Sequence, residues 1–455
     1  MDRLMVTVSG VRGIVGSSLT PQIARQFGCA FGTMLGAGKS VVIGRDSRQS
    51  GPELQQAITE GLLDTGVNVT SLGIVSTPGG AIMTSKLSAD GGVVVTASHN
   101  PIQYNGIKFL QPIGTGLTAE DAMKLKAIWE SGEFAMVGPD ARGSQSQDDT
   151  AEQRHIEDVL AIVDVEAIAA GRFKVVLDSI NGAGCIASAD LMEKLGCELV
   201  HLNAEPTGDF AHNPEPIEEN LGELCDAVRQ NGAAVGFAQD ADADRLAIVD
   251  ENGRFIGEEY TLALAAAFVL SKRKGDIATN LSTSRMVDDI AAAAGCKVLR
   301  APTGEANVIS AMFEGNCILA GEGGGGMIEP SVVPVRDSFT AMAYVLQYMA
   351  ETGISLSGLV AKIPSYVMLK TKQPCPEGAI EKIIDATREV FSYQLEARVN
   401  DTDGLRIDFE DAWVSVRASN TEPIMRIMSE APSIEDAQAL VSEVTEIADS
   451  VTGTE

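Results

Sequence analysis

Short runs of β-branched residues that end in polar tips recur along the chain and set its predicted architecture. They are Val41-Val42-Ile43-Gly44-Arg45-Asp46, Lys174-Val175-Val176-Leu177-Asp178-Ser179 and Ile277-Ala278-Thr279-Asn280-Leu281-Ser282. A helix-like stretch follows each one. Strand then helix, repeated, is the pattern of α/β layers. The runs lie somewhat over a hundred residues apart, which predicts three related α/β domains with mixed sheets. The polar, aperiodic stretch 139–150 reads as a linker or surface turn. Beyond Pro364 the pattern changes. A helix is expected around 378–393, with strands at 405–409, 413–417 and 424–430. A last helix should start at Ser433, an N-cap with Glu435 and Asp436 in its first turn. That order predicts a smaller α+β domain. The expected divisions are 1–150, 151–250, 251–364 and 365–455.

Composition narrows the function. At 455 residues the chain is too long for one core. Its 34 basic and 63 acidic residues leave a formal charge of −29. Such a field repels nucleic acid and anionic membrane surfaces, so neither is an expected partner. An anionic substrate then requires the few cations to gather in one cleft. No run approaches the roughly 18 apolar residues of a membrane span, and Met1–Met5 lacks the apolar core of a signal peptide. Seven scattered cysteines without a CxxC pair fit reduced thiols in a cytoplasm. Composition does not choose between monomer and homodimer.

Four clusters carry candidate chemistry. In Val93-Val94-Val95-Thr96-Ala97-Ser98-His99-Asn100-Pro101 an apolar strand feeds a small-residue turn whose tip presents a hydroxyl. A plain turn is the alternative. Ser98 and His99 are adjacent, which is poor geometry for a nucleophile–base dyad, so a serine carrying phosphate is the better reading. Lys108, in Tyr104-Asn105-Gly106-Ile107-Lys108, can supply positive charge, or act as a base if its pKa is lowered. Asp240, Asp242 and Asp244 stand at i, i+2 and i+4 before Arg245. Oxygen-only ligands point to Mg²⁺ or Ca²⁺. An EF-hand would need Gly where Arg245 stands and helices where the flanks read as strands; a solvated acidic turn is the other alternative.

The third cluster, Gly321-Glu322-Gly323-Gly324-Gly325-Gly326, formally satisfies a dinucleotide fingerprint. Pro330 and Pro334 among β-branched residues do not open the helix that fingerprint needs. A tight loop offering Glu322 to sugar hydroxyls fits better. The fourth is Arg417-Ala418-Ser419-Asn420-Thr421-Glu422-Pro423, with Arg426 beyond it. A guanidinium, two hydroxyls, an amide and loop N–H groups make a phosphate cradle; a polar loop between strands is the alternative. Together the clusters suggest phosphoryl transfer on a sugar phosphate.

With Ser9-Gly10-Val11-Arg12-Gly13 and Gly44-Arg45-Asp46-Ser47-Arg48, these motifs in this order resemble the α-D-phosphohexomutase family over nearly the whole chain. The resemblance implies a heart-shaped, four-domain molecule with a central active-site cleft. It implies that Ser98 is a phosphoserine, and that Asp240, Asp242 and Asp244 bind Mg²⁺ together with the Ser98 phosphate. Arg12 and Arg245 stabilise charge, and Lys108 and His99 serve as acid/base and positioning groups. Glu322 meets sugar hydroxyls, with Gly304 and Glu305 beside it. Arg417, Ser419, Asn420, Thr421 and Arg426 grip the idle phosphate. It further implies a hexose 1,6-bisphosphate, formed as intermediate and needed as activator.

Many relatives carry Ser and His where Gly324 and Gly326 stand, and some place His at Glu305, so contacts to the sugar are partly missing or rebuilt. Phosphoglucosamine mutase is the leading specific reading. It rests on the N-terminal SGVRGIVG segment and overall length, with Glu305 suited to an ammonium group. A phosphoglucomutase/phosphomannomutase of dual specificity is the alternative. A dinucleotide-dependent oxidoreductase and a non-catalytic metal-binding protein are the readings from other classes.

Overall fold

The computed structural model describes residues 4–376, 378–393, 397–418 and 424–453. The β-branched runs become strands because both of their faces are buried. Ser40–Arg45 lies between Asn68–Ile74 and Gly91–Val95 and runs parallel to both. Gly91–Val95 then pairs antiparallel with Tyr104–Leu110, so the Ser98 turn joins two strands of one seven-stranded sheet. Two four-stranded sheets follow, built around Lys174–Asp178 and Ile277–Asn280. In each, the parallel strands end at one antiparallel edge strand, Leu246–Asp250 in the second sheet and Gly326–Ile328 in the third. The fourth sheet is wholly antiparallel, with five strands and the helices Ile380–Ser392 and Ile434–Thr452. Ser433 caps the last helix, accepting from the Asp436 N–H at 3.1 Å.

Two readings of the pattern need correction. The stretch 139–150 is not simply a linker: Gln145–Gln147 adds a parallel edge strand beside Asn68–Ile74. Main-chain pairing and one hydroxyl contact, Thr70 to Ser146 at 3.1 Å, hold it, and its three exposed polar side chains carry no alternation to find. The strands Val367–Pro374 and Arg398–Asn400 were not foreseen, because their side chains are largely half-buried or exposed and give no clear apolar period.

Apolar packing joins the first three units. Val175 and Phe237 share one core with Leu262, Phe339 and Met342 across the second and third sheets. Ala81, Ile82, Val94 and Leu110 of the first unit pack on Ala278, Ile309, Ala320 and Ile328 of the third. The C-terminal unit has its own core around Ile383, Phe391, Val414 and Ile427. Polar contacts join it to the third unit. Arg406 donates to the Leu281 carbonyl, the Arg285 N–H to Glu430, and the Thr303 N–H to Asp403.

Two buried ion pairs fix the segments that carry the site. Arg48 is 1% exposed and pairs with the fully buried Asp46 at 3.1 Å. Its guanidinium donates to the carbonyls of Ser98 (2.7 Å), Asn100 (2.6 Å), Pro101 and Tyr104 (both 3.0 Å). Of these, the Pro101 carbonyl also accepts the Tyr104 N–H at 3.0 Å, so Arg48 reinforces the turn as well as filling its open acceptors. The second pair is His155, in the helix Ala151–Leu160, with Asp337, which caps the helix Ser338–Thr352, at 3.0 Å. Burial alone pulls the imidazole pKa down; Asp337 more than reverses this and pushes it up to about 10.

Removing one partner of a buried pair leaves an uncompensated charge. Arg48→Met should therefore lower the unfolding free energy by about 3 kcal/mol or more in urea titrations. The Asp46→Asn/Arg48→Met double variant should lose less than the single one. Because the folded pKa of His155 lies above its unfolded value, its contribution is complete below about pH 6.5 and fades as pH rises through about 10. The melting-temperature gap between wild type and His155→Gln should accordingly be wider at pH 7 than at pH 10.

Candidate active site

The second sheet's hairpin between Val235–Gln239 and Leu246–Asp250 carries the acidic triad. Strands, not helices, flank it, so it is no EF-hand. Asp240, Asp242 and Asp244 are all buried, and one oxygen from each lies within 4.8 Å of the others. Ala243 takes a left-handed φ of +56° to turn the chain between them. Asp240 Oδ1 accepts the N–H groups of Asp244 and Arg245, both at 3.1 Å. Burial first, then repulsion from Asp244 and Asp242, raises its pKa well above the usual range. Burial opposes ionisation of Asp244 too, but Arg336, Lys108 and Arg245 overcome it and hold that pKa below normal.

Cations from two other units meet the triad. Lys108 Nζ sits 2.6 Å from Asp242 Oδ2 and 3.1 Å from Asp244 Oδ2. Burial works against its charge, yet the two aspartates outweigh burial and raise its pKa. The base role considered for Lys108 needed a shift the other way; this lysine is an ammonium. The helix Thr77–Lys86 aims its N-terminus at the same place. The Thr77 N–H donates to the Asp242 carbonyl at 2.9 Å, and the Thr77 hydroxyl to its carboxylate. The Oδ1 atoms of Asp242 and Asp244 remain buried without a hydrogen-bond partner, with Arg245 Nε 3.9 Å from that of Asp244. Buried orphan carboxylate oxygens beside a third carboxylate fit a hard divalent cation.

Ser98 faces the triad. It is 2% exposed, and its Oγ donates to Asp240 Oδ2 at 2.7 Å. Its φ of +51° is a conformation that non-glycine residues rarely adopt. The Thr96 hydroxyl, which accepts the Ser98 N–H at 2.9 Å, and the Arg48 clamp hold it there. The neighbouring His99 pairs with Glu215 at 3.3 Å. Burial, then Arg245 and Arg12, outweigh Glu215 and keep the imidazole pKa below 6.5, so it is neutral at neutral pH.

The sugar-side segments close the far wall. The hairpin Leu319–Glu322/Gly326–Ile328 pairs Glu322 with Gly326, so the glycine cluster is a β-turn rather than the strand-to-helix turn of a dinucleotide site. Gly325 has a φ of +81°, and its carbonyl accepts the Leu246 N–H at 2.9 Å, tying this turn to the triad hairpin. Glu322 Oε1 accepts from Asn280 at 2.7 Å. Glu305 begins the helix Glu305–Glu314 after Gly304, whose φ is +120°.

Arg12, Ser98, His99, Lys108, Arg245, Gly304, Glu305 and Glu322 open together into one cavity of roughly 210 Å³. Arg417 and Arg426 lie on the C-terminal sheet, directly opposite each other on adjacent strands. Ser419, Asn420 and Thr421 lie outside the described residues. Lys372, which was not singled out in the sequence, extends that pair to a row of three cations. Like charges side by side destabilise a sheet unless an anion meets them. Lys372 also adds, after His99 and Arg245, to the pull that lowers the Glu215 pKa. Sequence reasoning also missed Thr77, Arg48 and above all Arg336. Arg336 touches Asp244, Glu305 and Glu322; its only sequence signal is an isolated cation just before a helix cap in an acidic chain.

Among the described residues no helix is long and apolar enough to cross a membrane, and all seven cysteines are free. Residues 3–136, 153–253 and 257–366 match domains I, II and III of the phosphoglucomutase/phosphomannomutase family, and 371–447 match its C-terminal domain. A "Phosphoglucomutase/phosphomannomutase" of Thermococcus kodakarensis is 42% identical over 94% of this chain and 95% of its own. A "Probable phosphoglucosamine mutase" of Methanopyrus kandleri is 36% identical over 96% of both chains. The crystal structure of a phosphoglucomutase/phosphomannomutase family protein from Burkholderia thailandensis superposes with a TM-score of 0.88 at 29% identity, covering 99% of each chain. Four matched domains in the same order, whole-length relatives and one cleft built from the first three of them lead to one conclusion: the chain belongs to the phosphoglucomutase/phosphomannomutase family, the α-D-phosphohexomutases.

Proposed function

We propose that this cleft interconverts hexose 1-phosphate and hexose 6-phosphate, with Ser98 carrying the phosphoryl group and a 1,6-bisphosphate as intermediate. The carrying observation is the Ser98 hydroxyl, buried and bonded to Asp240 beside the two orphan carboxylate oxygens. Asp240, Asp242 and Asp244 hold Mg²⁺, which supplies neutralising charge to the phosphoryl oxygens when bound. Arg12, Arg245 and Lys108 add fixed positive charge where phosphoryl oxygens pass, and Arg48 holds the loop so that Ser98 need not reorganise. The neutral His99 accepts a proton from an attacking sugar hydroxyl. Glu322 accepts from sugar hydroxyls. The row Arg417, Arg426 and Lys372, with Ser419, Asn420 and Thr421, holds the phosphate that is not reacting, so either end of the sugar can be presented to Ser98. Free thiols suit a reducing cytoplasm.

Glucosamine phosphate on one reading, and glucose and mannose phosphates on the other, are the candidates for the sugar side. Glu305, the carboxylate suited to an ammonium group, already pairs with Arg336, and the 42% identical relative carries both of the latter sugars in its name. The Methanopyrus relative favours the first reading, glucosamine phosphate.

A coupled assay with Mg²⁺ and a catalytic amount of hexose 1,6-bisphosphate should show turnover that Ser98→Ala reduces at least 10³-fold. Near-normal activity of that variant removes the carrier role. Comparing glucose, mannose and glucosamine 1-phosphates in the same assay decides the sugar. Asp242→Asn should weaken Mn²⁺ binding, read by calorimetry without substrate, by roughly tenfold or more; unchanged affinity places the cation elsewhere.

A further inference from the structure

Arg336 stands where three separate loops meet. Its guanidinium lies 2.9 Å from Asp244 Oδ2, 3.2 Å from Glu322 Oε2 and 3.4 Å from Glu305 Oε1. Its own N–H donates to the same Glu305 oxygen at 3.2 Å. One side chain thus holds the triad hairpin, the glycine hairpin and the Gly304 turn together, while lining the cleft itself. The backbone beneath it is fixed, because the next residue is Asp337, locked by His155 and by an N–H to the Met327 carbonyl at 2.8 Å.

The space Arg336 occupies exists only because residue 326 lacks a side chain. A Cβ on Gly326 would stand 2.1 Å from Arg336 Cδ and 2.8 Å from its Cγ. Gly326 is in an extended strand without a positive φ, so its backbone would accept any residue. The need for glycine here is the room it leaves for the arginine. Glu322 then has each oxygen held by one donor, Asn280 on Oε1 and Arg336 on Oε2. A carboxylate oxygen accepts more than one bond, so both stay open to a hydroxyl while their directions are fixed.

We propose that Arg336, seated in the space left by Gly326, is the positioning residue of the sugar-side wall: it orients Glu322 and Glu305 toward the hexose and anchors them to the triad hairpin. This rests on reading the cleft as a hexose phosphate site. Without the arginine, three acids lose a partner in a cleft that must admit a phosphate dianion. Loss of orientation and added repulsion both weaken binding. Lysine keeps the charge but not the fork, so it cannot serve all three acids at once.

The test is calorimetric binding of glucose 6-phosphate to the dephosphorylated full-length protein, with steady-state kinetics alongside. Arg336→Gln should weaken binding about tenfold and raise KM similarly, while kcat changes less than about threefold. Arg336→Lys should stay nearer to Gln than to wild type. Gly326→Ala leaves the arginine in the sequence but evicts it from its seat; it should reproduce the loss, and the double variant should be no worse than either single one. Melting temperatures close to wild type for Gly326→Ala would show that the fold is intact. Wild-type affinity in both single variants overturns the proposal, and so do additive losses in the double variant. If the wild-type protein binds glucose 6-phosphate but turns over no hexose phosphate, the assigned reaction fails while the binding comparison still decides the role of Arg336. If it binds neither glucose, mannose nor glucosamine 6-phosphate, both readings fall.

Discussion

Three buried carboxylates on one tight hairpin are the constraint that the rest of this molecule answers. Asp240, Asp242 and Asp244 come from the second unit, and no cation on their own hairpin neutralises them beyond the partly buried Arg245. Lys108 arrives from the first unit and Arg336 from the third. Burying such charge is unfavourable unless its partners are in place. The three units therefore have an electrostatic reason to assemble as well as an apolar one, and their assembly completes the site. What assembly leaves over is a pair of buried oxygens without hydrogen bonds, on the same hairpin as the carboxylate that accepts from Ser98.

The interfaces divide along the same line. Continuous apolar cores join the first three units, which suits a site whose charges must be held in fixed positions. The C-terminal unit keeps a separate core and meets the third through carbonyls, carboxylates and guanidinium groups. Polar interfaces of this kind are open to water and exchange more readily than apolar ones. The cation row it presents, Lys372, Arg426 and Arg417, is carried on that separately packed unit.

Much of this was legible in the sequence because it is local. The β-branched runs, the Ser433 cap and the strand-flanked acidic hairpin are each determined by a few neighbouring residues. The charged motifs announced themselves because carboxylates at alternate positions, or a serine between small residues, have few structural uses. What escaped was long-range. Arg48 serves carbonyls some fifty residues away, and Thr77 reaches a carboxylate in another unit. Lys372 acquires meaning only when strand pairing sets it beside Arg426. The glycine at 326 looked like a lost contact, whereas the space it leaves is filled by Arg336 from ten residues further along. The edge strand inside the 139–150 stretch escaped for the opposite reason: three exposed polar residues give no apolar period.

The most direct test of the account follows the phosphoryl group itself. The full-length protein is incubated with radiolabelled hexose 1,6-bisphosphate and Mg²⁺, desalted, and mapped by peptide mass spectrometry, then chased with unlabelled hexose 6-phosphate. The account predicts label on Ser98 alone, discharged by the sugar phosphate into bisphosphate only when a divalent cation is present. Label on any other residue, or a labelled Ser98 that the sugar phosphate cannot discharge, would contradict it.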